Sequence, residues 1–257
     1  MGTESVVHFQ KELDKITGAI NQRQRPSLLL HSCCAPCSSY CMEYLREYFD
    51  ITVLYYNPNI SSEPEYRKRL EEEVRLIGIY NDQVTAYRER GEQPDAITFG
   101  SAGSGIAGDL SGDRTSGTGI RPMVVTDNTG YINIIRGDYE PECFYEAVRG
   151  YESCPEGGDR CFICYELRIA EAYRVARERG DDYVTTTLTI SPLKNAARIN
   201  GIGMRLEEAY APVRWLPSDF KKKEGFKRST ELSNLYGLYR QNYCGCVFSR
   251  PAAAAGE

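Results

Sequence analysis

Ser27-Leu28-Leu29-Leu30-His31, the loop Ser32-Cys33-Cys34-Ala35-Pro36-Cys37-Ser38-Ser39 behind it, and Ile51-Thr52-Val53-Leu54-Tyr55-Tyr56 further on together decide the fold. A short apolar run with no polar alternation is the pattern of a strand buried on both faces. Tyr40 to Tyr48 reads as a helix, and Asn57-Pro58-Asn59 closes the second strand. Strand, loop, helix, strand is a βαβ unit, which pairs its strands in parallel.

Outward from this unit, Ser5 to Ile20 reads as an amphipathic helix and Pro64 to Ile77 as a charged one. The pattern then dissolves. Gly100 to Gly119 holds seven glycines in twenty residues, with Ser, Thr and Asp filling most of the rest, so a mobile insertion is expected over about 95–127. Tyr131 to Arg136 resumes a strand pattern, and Cys161 to Arg179 is a strong helix closed by Gly180. The β-branched run Tyr183 to Ile190 reads as a strand. It leads into the loop Ser191-Pro192-Leu193-Lys194-Asn195, then a helix, a basic segment with Trp215, and a last element over Leu232 to Tyr239. The expected fold is α/β with a parallel sheet. Residues 1–26 form a helical extension, 27–250 a single catalytic domain with a basic helical C-terminal region, and 251–257 a frayed tail. Ligands of open parallel sheets sit beyond the carboxyl ends of the strands, so Cys33, Cys34 and Lys194 are expected to meet at one crevice.

The chain has 257 residues and a net charge of −5. No apolar run is long enough to span a bilayer, and Met1 to Pro26 lacks the apolar core of a signal peptide. A cytoplasmic protein with no membrane partner is expected. Charge is unevenly spread: Lys194 to Arg250 carries eleven Lys/Arg against five Asp/Glu. Such a quarter is commonly a solvated face, but it also suits a phosphate backbone.

Ten cysteines against two histidines point to thiolate chemistry, because the cytosol keeps ordinary thiols reduced. Cys33-Cys34-Ala35-Pro36-Cys37 and Cys161-Phe162-Ile163-Cys164 form the strongest constellation. The second opens a helix, whose positive end favours thiolates. Four thiolates suit zinc or a [4Fe–4S] cluster, and thiol redox chemistry also fits; spacing does not choose among them. Cys37 is a fifth thiol nearby, able to hold a second metal or to face substrate. Cys41, one turn on, reads as core packing, and Cys143 and Cys154 as bystanders. Cys244-Gly245-Cys246 can close a strained, redox-active ring. Gly103-Ser104-Gly105-Ile106-Ala107-Gly108 satisfies the dinucleotide pattern GxGxxG but lacks a strand before and a helix after it, so it is rejected.

Five blocks resemble the QueH-type epoxyqueuosine reductases: Leu28–Tyr40, Val53–Leu70, Pro155–Arg168, Thr185–Asn195 and Leu238–Ser249. The resemblance implies a Rossmann-like sheet of the nucleotide-hydrolase superfamily type. It also implies reduction of epoxyqueuosine to queuosine at the wobble position of tRNA, the last step of that pathway. It further implies a [4Fe–4S] cluster on Cys33, Cys34, Cys161 and Cys164, an additional iron nearby, and a redox-active Cys244–Cys246 disulfide. The partners implied are tRNA carrying epoxyqueuosine and an electron donor the sequence does not identify.

Removing an epoxide oxygen to leave an alkene needs two electrons and two protons. Cys37 is the first candidate to hold an iron that polarises the epoxide, with Asp159 and Asp182 behind it. Lys194 and Asn195 are candidates to bind phosphate or base, and Trp215, Tyr239 and Tyr243 to stack an extruded nucleotide. Two other classes remain. A tRNA sulfur-transfer enzyme would carry a glycine-serine ATP loop where this chain has CCAPC. A zinc-stabilised tRNA-binding protein would not need the terminal CGC.

Overall fold

A computed structural model describes residues 7–21, 24–94 and 123–250. Residues 95–122 of the expected insertion, the GxGxxG match, the start of the expected N-terminal helix and the tail beyond Arg250 lie outside them; the rest of the expected insertion is ordered, with Met123 and Val125 buried and Val125 hydrogen-bonded to Gln93.

Five strands form one all-parallel sheet: β1 (Ser27–Ser32), β2 (Asp50–Tyr55), β3 (Ile132–Arg136), β4 (Tyr183–Thr186) and β5 (Arg214–Trp215). Their order is β3-β2-β1-β4-β5. Leu28, Leu29 and Leu30 pair with Ile51, Thr52 and Val53 on one side and with Tyr183, Val184 and Thr185 on the other. All three leucines are fully buried, each contributing roughly 2 kcal/mol of hydrophobic stabilisation. Leu28 and Leu30 face one core and Leu29 the other, the alternation that a strand covered on both faces imposes.

The first core is closed by α1 (Phe9–Ala19), α2 (Ala35–Leu45) and α3 (Glu63–Arg90). A later helix, Gly225–Leu235, packs against it too. The short α4 (Pro141–Ala147) precedes α5 (Asp159–Arg179), which covers the second core with α6 (Ala196–Glu207); the helix Gly225–Leu235 is α7.

The sequence expectation and the structure differ in four places. Helix α2 begins at Ala35, inside the cysteine loop, because Pro36 suits a first helical turn and Cys34 takes the cap position. Helix α3 does not stop at Ile77 but runs to Arg90, ended by Gly91 in the left-handed region (φ 69°). The strand expected over Tyr183–Ile190 stops at Thr186, and Thr187–Ile190 wind into a 3₁₀ turn. The last helix occupies Gly225–Leu235 rather than Leu232–Tyr239.

The chain leaves β1 toward β2 and β3, then returns to the other side of β1 for β4. The carboxyl ends of β1 and β4 therefore flank the point where strand order reverses, where open α/β sheets place their ligands.

Candidate thiolate centre

Cys33 and Cys34 follow β1 directly, and the 3₁₀ turn after β4 faces them. Thr187 ties the two together: its hydroxyl accepts from the Cys33 N–H (3.2 Å) and donates to the Cys33 sulfur (3.4 Å). The Cys33 and Cys34 sulfurs are 3.8 Å apart, and with Cys37 all three lie within 4.8 Å of one another. Two thiolates about 2.3 Å from one tetrahedral ion would stand about 3.8 Å apart. This donor set fits a thiophilic metal.

Hydrogen bonding from Cys34, then from Cys37, holds Cys33 well below the usual thiol range, and the Lys194 ammonium adds to this. The same bonds push Cys34 up to about 12 and raise Cys37. Three thiols this close, one of them favoured as the thiolate, could hold a metal ion.

The three cysteines open on a cavity of about 380 Å³, also bordered by Arg69, Arg168, Lys194, Tyr243 and Cys244. That volume suits a nucleoside-sized ligand. Lys194 is half-buried; burial alone would lower its pKa, but Cys244, Cys33 and Cys37 hold it raised.

Cys161 and Cys164 stand outside the close trio. They line a neighbouring cleft of about 20 Å³ with Cys244 and Cys246. Cys161 accepts from the Gly157 N–H at 3.2 Å. Cys164 is buried, and burial pushes its thiol up to about 12. Cys244 and Glu156 border both spaces, so the two thiol groups adjoin through them. Cys244 is held from α3, where Arg69 Nη1 donates to its carbonyl (3.2 Å). All ten cysteines are free thiols. Gly245 needs its glycine: φ is 108°, and an added Cβ would lie 2.9 Å from Ile60 Cγ1.

Other expected site residues fall elsewhere. Trp215 is buried against Tyr173, and its indole N–H donates to Asn200 Oδ1 (3.0 Å). It has no face to offer a base, because β5 is a sheet strand rather than a surface loop. Asp182 accepts from the Ser27 N–H and hydroxyl (both 2.9 Å) at the amino ends of the strands, the edge opposite the thiols. Asn195 caps α6, accepting from the Arg198 N–H. Tyr239 has Lys68 Nζ 3.6 Å from its ring centroid. Tyr243 does border the cavity, and Asp159 opens α5 two residues before Cys161. Cys41 is buried in the first core.

Sequence reading missed Arg168, Arg69, Asn57 and His31. Arg168 had a signal, standing one helical turn after Cys164. His31 is buried between Thr186 (2.8 Å) and the Tyr56 carbonyl (3.0 Å). A carbonyl only accepts, so Nε2 carries the proton; burial, with Arg168 nearby, lowers its pKa to about 3 and keeps the ring neutral. A larger cavity, about 640 Å³ between α2 and α7, has no cysteine in its wall.

The profile of the family "Epoxyqueuosine reductase QueH" matches residues 28–94 and 123–252. The chain belongs to the epoxyqueuosine reductase QueH family. Relatives named epoxyqueuosine reductase QueH include that of Streptococcus pyogenes, 36% identical over 225 residues, covering 88% of this chain and 71% of the relative. That of Staphylococcus epidermidis is 34% identical over 246 residues (95% and 84%). That of Thermotoga maritima is 30% identical over 226 residues (87% and 90%). The chain is accordingly an oxidoreductase by family. The profile passes over 95–122, where sequence composition suggested an insertion. No helix among the described residues is long and apolar enough to cross a membrane.

Proposed function

We propose that this chain reduces epoxyqueuosine to queuosine in tRNA, with an iron–sulfur cluster held by Cys33, Cys34, Cys161 and Cys164. The observation that carries the reading is a group of close thiols at the sheet's switch point, opening on a nucleoside-sized cavity. When bound, the cluster and an adjacent iron would supply single electrons and a Lewis acid. The chain's own residues do the rest. Thr187 orients the Cys33 sulfur and Lys194 offers a cation toward the cavity. Cys37 stands beside the cluster ligands as the thiol for the second iron. Tyr243 lines the cavity as a stacking surface, and Cys244 with Cys246 cycles between dithiol and disulfide to pass electrons. A single catalytic domain over 27–250, interrupted by an insertion within 95–122, belongs to the same reading.

A second reading, zinc on Cys33, Cys34 and Cys37, is favoured by the 3.8 Å sulfur separation. Anaerobic purification followed by iron, zinc and acid-labile sulfide analysis separates them, with single-turnover assay on epoxyqueuosine-containing tRNA. Iron with sulfide and queuosine formation are expected. Stoichiometric zinc without sulfide overturns the cluster, and no conversion by reduced, iron-loaded protein overturns the activity.

A further inference from the structure

Arg168 is 1% exposed and among the largest fully buried side chains of the protein. Taking a guanidinium out of water costs several kcal/mol unless a partner compensates it. The ordinary partner is a carboxylate, as Arg69 has Glu65 (2.7 Å) and Arg228 has Glu43 (2.5 Å). Arg168 pairs with no carboxylate among the described residues. Its polar contact is neutral: Nη1 donates to Asn57 Oδ1 at 3.0 Å. Nε and Nη2 are buried with no partner among the described residues.

The position of this cation is not arbitrary. Helical side chains lean toward the helix N-terminus, so Arg168, four residues after Cys164, reaches back toward the CxxC turn. Asn57, which holds it, also donates from Nδ2 to the Ser32 carbonyl (2.9 Å), next to Cys33. The guanidinium borders the cavity that Cys33, Cys34, Cys37 and Cys244 line. The ionisable groups bearing on it are Cys164, Cys244, Cys33 and Tyr165; burial works against its charge and those groups favour it. A buried cation thus borders a cavity lined by thiols, with two donors that have no acceptor among the described residues.

We infer that Arg168 is the fixed counter-charge of the thiolate centre, its Nε and Nη2 left free to donate to sulfur of the bound cluster, so that it favours the reduced, more negative state. This rests on the iron–sulfur reading above. Lys194 also bears on Cys33 but is only half-buried, and Arg69 is ion-paired with Glu65, so Arg168 is the fully buried cation at the cavity with no carboxylate beside it among the described residues. Hydrogen bonds to sulfur and local charge are established levers on cluster potential. Arg168 acts here as a positioning residue, since it tunes the centre rather than contacting substrate.

The test uses full-length protein purified anaerobically with its metal in place. Arg168→Met removes charge and donors; Arg168→Gln removes charge but keeps an amide able to reach Asn57; Arg168→Lys restores charge alone. Iron and sulfide content and the midpoint potential are measured for each, with far-ultraviolet circular dichroism as the check on folding. Either neutral variant that folds decides the matter. The expected result is a midpoint potential at least about 59 mV more negative, a tenfold shift of the one-electron equilibrium, with most of that shift recovered in Arg168→Lys. A folded neutral variant with wild-type iron, sulfide and potential overturns the inference and leaves the cluster reading standing. Wild-type protein without iron and sulfide overturns both.

Discussion

Glu73 is a fully buried carboxyl on α3 with neither oxygen well hydrogen-bonded. Burial pushes it up to about 8, with Cys33 adding to the shift, while the nearby Ser38 and Ser32 hydroxyls oppose it. A carboxyl whose pKa is raised by folding favours the fold fully only below its unfolded value, about 4.5. That contribution is lost as pH rises toward 8. Between pH 6 and pH 8 the wild type should lose about 2–3 kcal/mol relative to Glu73→Gln, at about 1.4 kcal/mol per pKa unit. Urea unfolding of both proteins across that range measures the difference; parallel curves would place the Glu73 pKa near its ordinary value. Cys37 makes a different claim. In the proposed arrangement Cys37→Ser keeps most of the iron and sulfide, while epoxyqueuosine turnover falls by roughly tenfold or more. Loss of the whole cluster in that variant would put Cys37 among the cluster ligands, in keeping with its place within 4.8 Å of Cys33 and Cys34.

Elements differ in how far the sequence announces them. The pair β1 and β2 was legible because an all-apolar run has one stable use, burial on both faces, and the register Leu28–Ile51 follows. The second half of α3 was not legible. Its buried positions there, Ile79, Tyr80, Gln83, Val84 and Ala86, include polar and small residues that blur the helical period. The Thr-rich run after β4 misled for another reason: β-branched residues favour extended backbone, yet Thr186 turns the chain by accepting from the Leu188 N–H (3.2 Å). The cysteine pairs were legible as a constellation, whereas their partition was not. That Cys161 and Cys164 share a cleft with Cys244 and Cys246 depends on how the C-terminal segment packs, which no spacing encodes. The Gly/Ser-rich segment gives a prediction at this scale. The family profile resumes at 123 after leaving off at 94, so replacing Gly100 to Gly119 with a short linker should leave iron content and turnover unchanged. Loss of the cluster in that deletion would show that these residues support the centre.

Across the whole molecule, the positive C-terminal quarter is less available than its charge count suggests. Lys221 pairs with Asp219 (2.7 Å), Lys223 with Asp14 (2.7 Å), Lys227 with Glu224 (3.6 Å) and Arg228 with Glu43 (2.5 Å). A cation already beside a carboxylate is less available to neutralise a phosphate and so to release that phosphate's condensed counterions, and a surface pair is worth at most about 1 kcal/mol to the fold. Lys194 and Arg240 instead border the thiol-lined cavity, where an anticodon nucleotide would have to enter in the proposed reaction. The salt dependence of tRNA affinity should therefore be shallower than eleven cations imply, since the logarithmic slope counts only phosphates neutralised, at roughly 0.7–0.9 each. Lys194→Ala and Arg240→Ala should each lower that slope by about one and weaken binding several-fold. Lys223→Ala should change it little, because it breaks an ion pair with Asp14 rather than a contact with tRNA. Reversing both Lys221 and Lys222 to Glu tests the basic run as a whole: weaker tRNA binding with unchanged iron content is expected, since neither residue borders the thiol cavity. Filter binding over a range of potassium chloride, with iron determined on the same preparations, reads both quantities. Equal slopes for wild type, Lys194→Ala and Arg240→Ala would mean that tRNA approaches by another face.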